Sequence, residues 1–269
     1  MGYCYSVKNK IGNIFILYRM VENKQKYQIF SKAPIKEALL DIRVQLKPEI
    51  KLTDLLEFQE AIKDQYPDRK ERKFAKYGFQ VVPKPSAHLD KSGTDGYLFK
   101  SSNGEKVVQA RLDGFTFNKL KPYESWKDLR DESQQLWSIY TKTVNPVKVQ
   151  RIALRYINRL EVPLPIKEFR DYILTSLDIP ENLPQAVSNF FIRLEMPYHE
   201  IGAIAIVMHT IEPPTKDNKL PMIFDIDVSK EVDYETESVA IWEDFEKLRI
   251  IKNEVFFNSI TDKTKELIK

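Results

Sequence analysis

Two acidic residues separated by one position stand in the segment Phe224–Val228, which reads FDIDV. Side chains of a strand alternate between its two faces, so Asp225 and Asp227 would share one face. Such a pair can hold a divalent cation when further oxygen ligands complete the shell. Asp113 or Glu195 could be that third ligand, but no glycine-rich phosphate loop accompanies the pair. A two-residue motif is weak, so we predict no metal site, no cofactor and no catalytic residue.

A row of arginines stands in the segment Lys148–Pro163, which reads KVQRIALRYINRLEVP. Arg151, Arg155 and Arg159 are spaced by four, which puts them on one face of a strand, while Tyr156 joins the apolar residues on the other face. Guanidinium groups on a sheet bind phosphate or carboxylate oxygens in a forked geometry. A base-stacking platform would need aromatic side chains on the arginine face, and Tyr156 points away from it.

The strand KVVQARLDGF adds Arg111 and Asp113 to the same group. The candidate binding residues are all charged and all fall on predicted strand faces: Arg111, Asp113, Arg151, Arg155, Arg159, Asp225 and Asp227. Two interpretations stay open for them. The set forms a groove for a ligand or partner, or its arginines and aspartates pair with one another across a solvated sheet face, where each exposed pair contributes about 0.2–1 kcal/mol. Mutual pairing is the favoured interpretation.

The histidines and the single cysteine point to no reactive centre. His88, His199 and His209 lack metal-ligand spacing, and Cys4 stands alone, so neither an internal disulfide nor a cysteine-rich zinc site is expected. No GxSxG elbow is present. The aromatic segment GFTFNKLKPYESW, residues 114–126, could line a small-molecule pocket, although packing in the core is the favoured role for its rings.

Composition indicates a globular chain rather than a polyanion binder. Of its 269 residues 42% are apolar, and the net charge is +3. The first 20 residues carry Lys8, Lys10 and Arg19 and no acid, and without these three, 39 basic residues face 39 acidic ones. The basic balance is therefore local and does not indicate a nucleic-acid binder. The lack of a long apolar run and the cysteine content favour a cytoplasmic protein without a membrane partner.

The N-terminal 20 residues show neither strand alternation nor helical periodicity. We interpret residues 1–20 as an upstream extension of a chain that starts at Met20 or Val21. In the competing interpretation, residues 13–18 form an edge strand. Mass spectrometry of the native N-terminus decides between them, because a native start at Met1 contradicts the extension.

The order of predicted elements repeats. Residues 29–145 read as strand, helix, three strands and long helix, and residues 146–269 read as strand, short helix, three strands and long helix; residues 1–28 precede both. Asn103-Gly104 predicts a tight hairpin turn. The charged run 68–78 is expected to be the solvated end of the first helix. Residues 83–96 are expected to form a polar loop, and residues 165–177 are expected to form the short helix of the second half. The predicted fold is α+β: an antiparallel sheet with helices mainly on one face and an internal two-fold repeat, the two halves forming one unit.

Several segments together resemble one family. They are KAPIKEALLDIRV, LDGFTFNKLKPYESW, RIALRYINRLEVP, FDIDV and FFNSITDK, and they cover about residues 29–264. The pattern resembles a sporadically distributed bacterial family of conserved hypothetical proteins without an assigned function. Members of that family begin shortly before the APIKEA segment. The resemblance implies no catalytic residues, and the sporadic distribution implies an accessory role in stress response or defence against phage.

The expected function is non-catalytic. The chain is predicted to be an adaptor or regulatory protein that binds another macromolecule, with a protein as the favoured partner. One alternative is a nucleic-acid-binding protein that uses the arginine-bearing face. Another is a metal-dependent enzyme acting on a phosphorylated substrate, with Asp225 and Asp227 as ligands. Salt-dependent affinity would favour the first alternative, and cation-dependent thermal stabilisation would favour the second. The sequence does not specify an oligomeric state.

Overall fold

The structure is a computed structural model that describes residues 27–80, 86–175, 178–185 and 187–269, with the side chains of all of these except 75–91. The strands in this part of the chain are β1 (Ile35–Gln45), β2 (Asp68–Gln80), β3 (Ser86–Lys100), β4 (Lys106–Arg111), β5 (Gly114–Leu120), β6 (Lys148–Pro163), β7 (Phe191–Tyr198), β8 (Ala203–Ile211) and β9 (Lys219–Tyr234). The helices are α1 (Leu55–Ile62), α2 (Trp126–Val144), α3 (Ala240–Ser259) and α4 (Asp262–Leu267). Single 3-10 turns occur at Leu52–Asp54 and Phe169–Asp171.

All nine described strands belong to one antiparallel sheet, so the predicted α+β class and antiparallel sheet are confirmed. The strand order is β2-β3-β4-β5-β1-β6-β9-β8-β7. The strands that open the two predicted halves, β1 and β6, pair with each other in the middle. One sheet therefore spans both halves, while the two-fold repeat remains a prediction.

The apolar alternation of the central strands places their core residues on the face that the helices cover. Leu40 of β1 lies opposite Leu154 of β6 and Phe117 of β5, and all three side chains are fully buried. Burial of side chains of this size stabilises the fold by roughly 1.5–3 kcal/mol each. From the helix side, Tyr140 of α2 contacts Phe115 with ring centroids 5.8 Å apart, and this packing fixes α2 against β5.

The long helix α2 has the ends that its sequence predicts. Ser125 is the N-cap, and its Oγ accepts a hydrogen bond from the backbone N–H of Asp128 at 3.2 Å. The helix ends at Asn145, which adopts a left-handed conformation with φ of 42° just before Pro146. The buried stripe includes Leu129, Leu136, Trp137 and Tyr140, as the periodicity predicts. The predicted hairpin turn is also present, with Gly104 at φ of 74°.

The expectation that the charged run 68–78 ends a helix is wrong, because this run forms most of β2. It pairs with β3 from Asp68↔Lys100 onwards, so β3 also replaces most of the polar loop expected over 83–96. The strand lies at the edge of the sheet, where alternating apolar residues are not required and charged side chains discourage pairing with other chains. The charged side chains of β2 are therefore the reason that the sequence pattern did not indicate a strand.

The expected short helix over 165–177 is also wrong. The structure has one 3-10 turn at Phe169–Asp171, after which Ile173 forms an antiparallel bridge with Ile260. Ile173 is fully buried, and this tertiary contact draws the backbone out of a helical path. The predictions for residues 1–20 lie outside the described residues. None of the helices in the described part is long and apolar enough to cross a membrane.

Candidate binding face

The second face of the sheet, opposite the helices, carries the charged residues that the sequence singles out. We call it the polar face. It consists of Asp41 and Arg43 of β1, Arg111 of β4, Thr116 of β5, Arg151, Arg155 and Arg159 of β6, Asp225 and Asp227 of β9, and Asp113 in the β4–β5 turn. All seven candidate binding residues thus lie on one side of the sheet, although Arg111 and Asp225 are buried there. The prediction that the three arginines of β6 share a face, with Tyr156 buried on the other, is confirmed.

A buried network centred on Asp41 occupies the middle of this face. Arg111 Nη2 donates to Asp41 Oδ2 at 2.7 Å, and Thr116 Oγ1 donates to the same oxygen at 2.7 Å. Arg111 Nε donates to Asp113 Oδ1 at 2.9 Å. Arg111 is only 2% exposed. The structure thus places Arg111 inside the protein with its donors engaged, and its role in binding an outside ligand remains a prediction.

The electrostatics of Asp41 follow from this arrangement. Burial alone would raise the pKa of the carboxyl, because a desolvated charge is unfavourable. The guanidinium groups of Arg111 and Arg43, with hydrogen bonds from Thr116 and Arg111, outweigh burial and hold the pKa of Asp41 below its ordinary value. Asp41 is therefore ionised at neutral pH and neutralises the arginine that it contacts.

Arg155 and the two aspartates of FDIDV form a second group. Arg155 Nε donates to Asp225 Oδ1 at 2.9 Å, and its Nη2 donates to Oδ2 of the same carboxylate, which is a forked ion pair. In the strand register Arg155 lies opposite Asp227 rather than Asp225, so the ion pair is diagonal. Asp227 is left with a buried Oδ1 that has no hydrogen-bond partner among the residues that the structure describes.

The environment of Asp227 is less favourable for its charge. Burial raises the pKa of Asp227 above its ordinary value, although Arg151 and Arg155 oppose the shift; Asp225 and Asp41 add to it. The two aspartates of the motif therefore differ. Asp225 has a dedicated cation, whereas Asp227 is a partly buried carboxyl without one.

The remaining arginines of β6 are also neutralised. Arg159 Nε donates to Glu212 at 2.8 Å, and its Nη1 donates to Glu161. Arg151 lies 3.5 Å from Asp41 Oδ1 and 3.7 Å from Glu231, a looser arrangement with two carboxylates. The row therefore consists of ion pairs within the chain, which is the geometry of the mutual-pairing interpretation.

Separate substitutions of Asp225 and Asp227 should have different effects on the stability of the protein. Asp225→Asn is expected to lower the free energy of unfolding by about 1–3 kcal/mol, because it leaves the half-buried guanidinium of Arg155 with a weaker acceptor. Asp227→Asn is expected to change it by less than about 0.5 kcal/mol or to raise it, since the carboxyl is poorly compensated. Urea unfolding at pH 7 measures both values. Equal losses for the two variants would contradict the assignment.

The polar face is not arranged as a metal centre. The described residues contain no group of three or more histidine, cysteine, aspartate or glutamate side chains that could hold an ion. Both carboxylate oxygens of Asp225 contact Arg155, so a cation would have to displace that arginine. Asp113 contacts Arg43 and Arg111 instead of completing a site with the FDIDV pair. His199 is exposed, and the side chain of His88 is outside the described residues.

Beside the charged residues lies an apolar surface that the sequence interpretation missed. Ile204, Ile206 and Met208 of β8 point to the polar face, where Ile206 lies opposite Asp227 and Met208 opposite Asp225. We call these three residues the β8 strip. Ile204 is 38% exposed, and Phe191 on the neighbouring edge strand β7 is 65% exposed. A signal for the strip exists in the segment IGAIAIVMHTI, which is apolar on both faces although the adjacent strand is charged on one.

Comparison of the chain with protein-family models and with curated proteins gives no match.

Proposed function

We propose that the chain is a non-catalytic protein that binds another protein through the polar face, with the β8 strip at the centre of the contact. The observation that carries this proposal is an apolar row on a charged face: Ile206 and Met208, both half-buried, lie opposite Asp227 and Asp225. The exposed side chains of Ile204 and Phe191 extend this row on the same face. Protein interfaces combine apolar and aromatic anchors with arginines and a polar rim. Apolar side chains scattered singly are common on protein surfaces, whereas contiguous exposed apolar patches mark interaction sites.

The charges of the face favour a protein over a nucleic acid. A nucleic-acid interface requires cations that neutralise phosphates and release counterions. The guanidinium donors of Arg155 and Arg159 contact carboxylates of the same chain, so phosphate binding would require these pairs to break and leave Asp225 and Glu212 against a polyanion. A protein partner can instead place charges of its own opposite both the acidic and the basic groups of the face, and such complementary charge pairs contribute specificity.

The strand order supports the predicted duplication as the origin of this face. Outward from the central pair, β1 is followed by β5, β4, β3 and β2, and β6 is followed by β9, β8 and β7. In each direction the leading strand pairs with the last strand of its own half. We infer that the two halves are repeats whose leading strands, β1 and β6, meet at the centre, so that both leading strands contribute charged residues to the polar face. An accessory role in a bacterial cytoplasm remains part of this proposal.

Capture of a partner from native cells tests the proposal when it is run with matched variants. Ile206→Glu places a charge at the half-buried middle of the β8 strip, and Val239→Glu places the same charge at an exposed apolar residue outside the strip, just before α3. We expect one protein to be retained by the wild type and by Val239→Glu, and its retention to fall at least tenfold with Ile206→Glu. Circular dichroism and thermal unfolding establish that both variants are folded.

Two outcomes would contradict the proposal. A partner retained equally by folded Ile206→Glu does not use the β8 strip. Retention of nucleic acid by the wild type would favour the nucleic-acid alternative instead. In that case the signal should disappear on nuclease treatment, weaken at raised salt and weaken in Arg155→Ala.

A further inference from the structure

A cavity lies on the helix side of the sheet, remote in the fold from the polar face. Its volume is about 250 Å³, and its walls come from α3, from β6, from the segment that enters α2 and from residues 27–35. The rings that line it are Tyr27, Phe30, Tyr123, Trp126, Tyr156, Phe256 and Phe257. A cavity of this size is slightly below the range of about 300–1,000 Å³ typical of drug-sized ligands, so it suits a small molecule of about one ring.

The cavity contains a lysine that has no counterion among the described residues. Lys252 of α3 places its Nζ 3.9 Å from the centroid of the Tyr156 ring, a cation–π contact. No carboxylate of the described residues stabilises its charge; burial and then Arg249 lower the pKa of Lys252 to about 7. An uncompensated amine in an apolar wall is costly for folding, and such groups are characteristic of binding sites.

The neighbouring cation, Arg249, has a carboxylate partner, Glu246, which it shares with Arg130. Arg249 Nε donates to Glu246 Oε2 at 3.1 Å, and its guanidinium lies over the ring of Trp126 at 5.8 Å from the centroid. Trp126 Nε1 donates to the other oxygen of Glu246 at 2.7 Å. Among the described residues, Lys252 is therefore the cation of this cavity that has no carboxylate partner, and it is the one that an added anion would neutralise.

A hydroxyl pair provides a second polar group in the wall. The Tyr123 and Tyr156 oxygens are 2.8 Å apart, so one hydroxyl donates to the other and the second hydrogen of the pair is left for a further acceptor. Burial raises the pKa of Tyr123 to about 12, so its phenol stays protonated and able to donate at neutral pH. The pair is suited to donate a hydrogen bond to an anionic oxygen bound by Lys252.

We propose that this cavity binds a small organic monocarboxylate with an aromatic or apolar body, whose carboxylate contacts Lys252 Nζ and a hydroxyl of the Tyr123–Tyr156 pair. One uncompensated ammonium matches one negative charge. A phosphate dianion would bring a second charge into a largely aromatic cavity, where an unpaired ion is strongly unfavourable. The aromatic walls supply the contact with the body of the ligand.

Binding of such an acid should depend on pH in a defined direction. The titratable groups that line the cavity together with Lys252 are Arg249 on its own helix, Tyr156 of β6, Tyr123 and Glu124 before α2, and Tyr27. The carboxylate of Glu124 is ion-paired with Lys119 at 3.3 Å. Because the amine of the empty cavity titrates near pH 7, and only the protonated form pairs with a carboxylate, affinity should weaken roughly 20-fold between pH 6.5 and pH 8.5.

Calorimetry on the full chain tests the proposal. The probes are phenylacetate and hexanoate at millimolar concentration, 2-phenylethanol as the uncharged counterpart of phenylacetate, and inorganic phosphate. We expect at least one of the two acids to bind with the stated pH dependence, and neither the alcohol nor phosphate to bind comparably. Lys252→Met should lose at least tenfold in affinity, whereas Lys252→Arg should retain binding and lose the pH dependence, since arginine stays charged.

The control substitution is Lys142→Met, which removes an exposed lysine of α2 and should leave binding unchanged. The proposal is overturned if neither acid binds, if Lys252→Met binds as the wild type does, or if 2-phenylethanol binds as tightly as phenylacetate. Tighter binding of phosphate than of either acid would also overturn it. Capture of a protein through the β8 strip is independent of all these results.

Discussion

Asp41→Ala is expected to lower the free energy of unfolding by about 3–5 kcal/mol at pH 7, because removing one member of a buried ion pair leaves the other charge uncompensated. The side chain left behind is Arg111, which is 2% exposed and loses its 2.7 Å contact with the carboxylate. Thr116 loses its acceptor at the same time. Urea unfolding of the wild type and the variant measures the difference.

A matched control and a pH series sharpen this test. Asp113→Ala removes another carboxylate from Arg111, but the Asp113 side chain is 52% exposed, so a loss of about 0–1 kcal/mol is expected. The folded pKa of Asp41 is below the ordinary value of 3.8, so its contribution is complete above that pH and is lost as pH falls below it. The difference in unfolding free energy between the wild type and Asp41→Ala should therefore shrink as the pH falls below the ordinary pKa of the carboxyl. A loss below 1 kcal/mol at pH 7 would show that the network does not hold the centre of the sheet.

Acidification from pH 7.5 to pH 4 is expected to cost about 3 kcal/mol of stability through His209 alone. This side chain is fully buried; its Nδ1 lies 3.1 Å from the Thr175 carbonyl oxygen, and its Nε2 has no hydrogen-bond partner in the described part of the chain. Burial lowers the pKa of His209 from 6.5 to about 4, despite the hydrogen bond to Thr175. The unfolded chain therefore takes up a proton at a pH where the folded chain does not, and stability falls as pH drops through this window.

The variant His209→Phe isolates this effect. Phe190 and Phe224 already contact the histidine ring edge-to-face, so a phenyl group suits the site sterically. Unfolding free energies at pH 7.5, 6, 5 and 4 should fall less steeply for His209→Phe than for the wild type, by about 3 kcal/mol over the range. His199→Gln, at an exposed position, should retain the wild-type slope. An unchanged slope in His209→Phe would contradict the assignment.

The sequence predicted those elements whose periodicity is set by one buried face. The strands β1 and β6 and the helix α2 have strict apolar spacing, and each lies where that spacing places it. Strand β2 was not predicted, because an edge strand needs few apolar residues and so lacks the alternating pattern. The helix predicted over 165–177 does not form, because Ile173 makes a tertiary contact with Ile260 that the local sequence does not indicate. Local patterns do not contain either constraint.

The candidate site divides in the same way. Alternation alone placed Arg155, Arg159 and the FDIDV aspartates on strand faces, and the structure brings those faces to one surface. The choice of partner was not accessible from the pattern, since Arg155 pairs diagonally with Asp225 although Asp227 is directly opposite. Lys252 was missed because a lysine in an amphipathic helix is ordinarily solvent-exposed, and only the assembled cavity reveals its lack of a counterion.

The central claim is that the β8 strip forms the contact with a protein partner, and hydroxyl-radical footprinting of the captured complex tests it most directly. Met208 and Phe191 have readily oxidised side chains on the polar face, and Trp242 of α3 serves as the internal reference on the helix side. The account predicts that oxidation of Met208 and Phe191 falls severalfold in the complex while that of Trp242 is unchanged. Unchanged oxidation of Met208 and Phe191, with protection of Trp242, would contradict it.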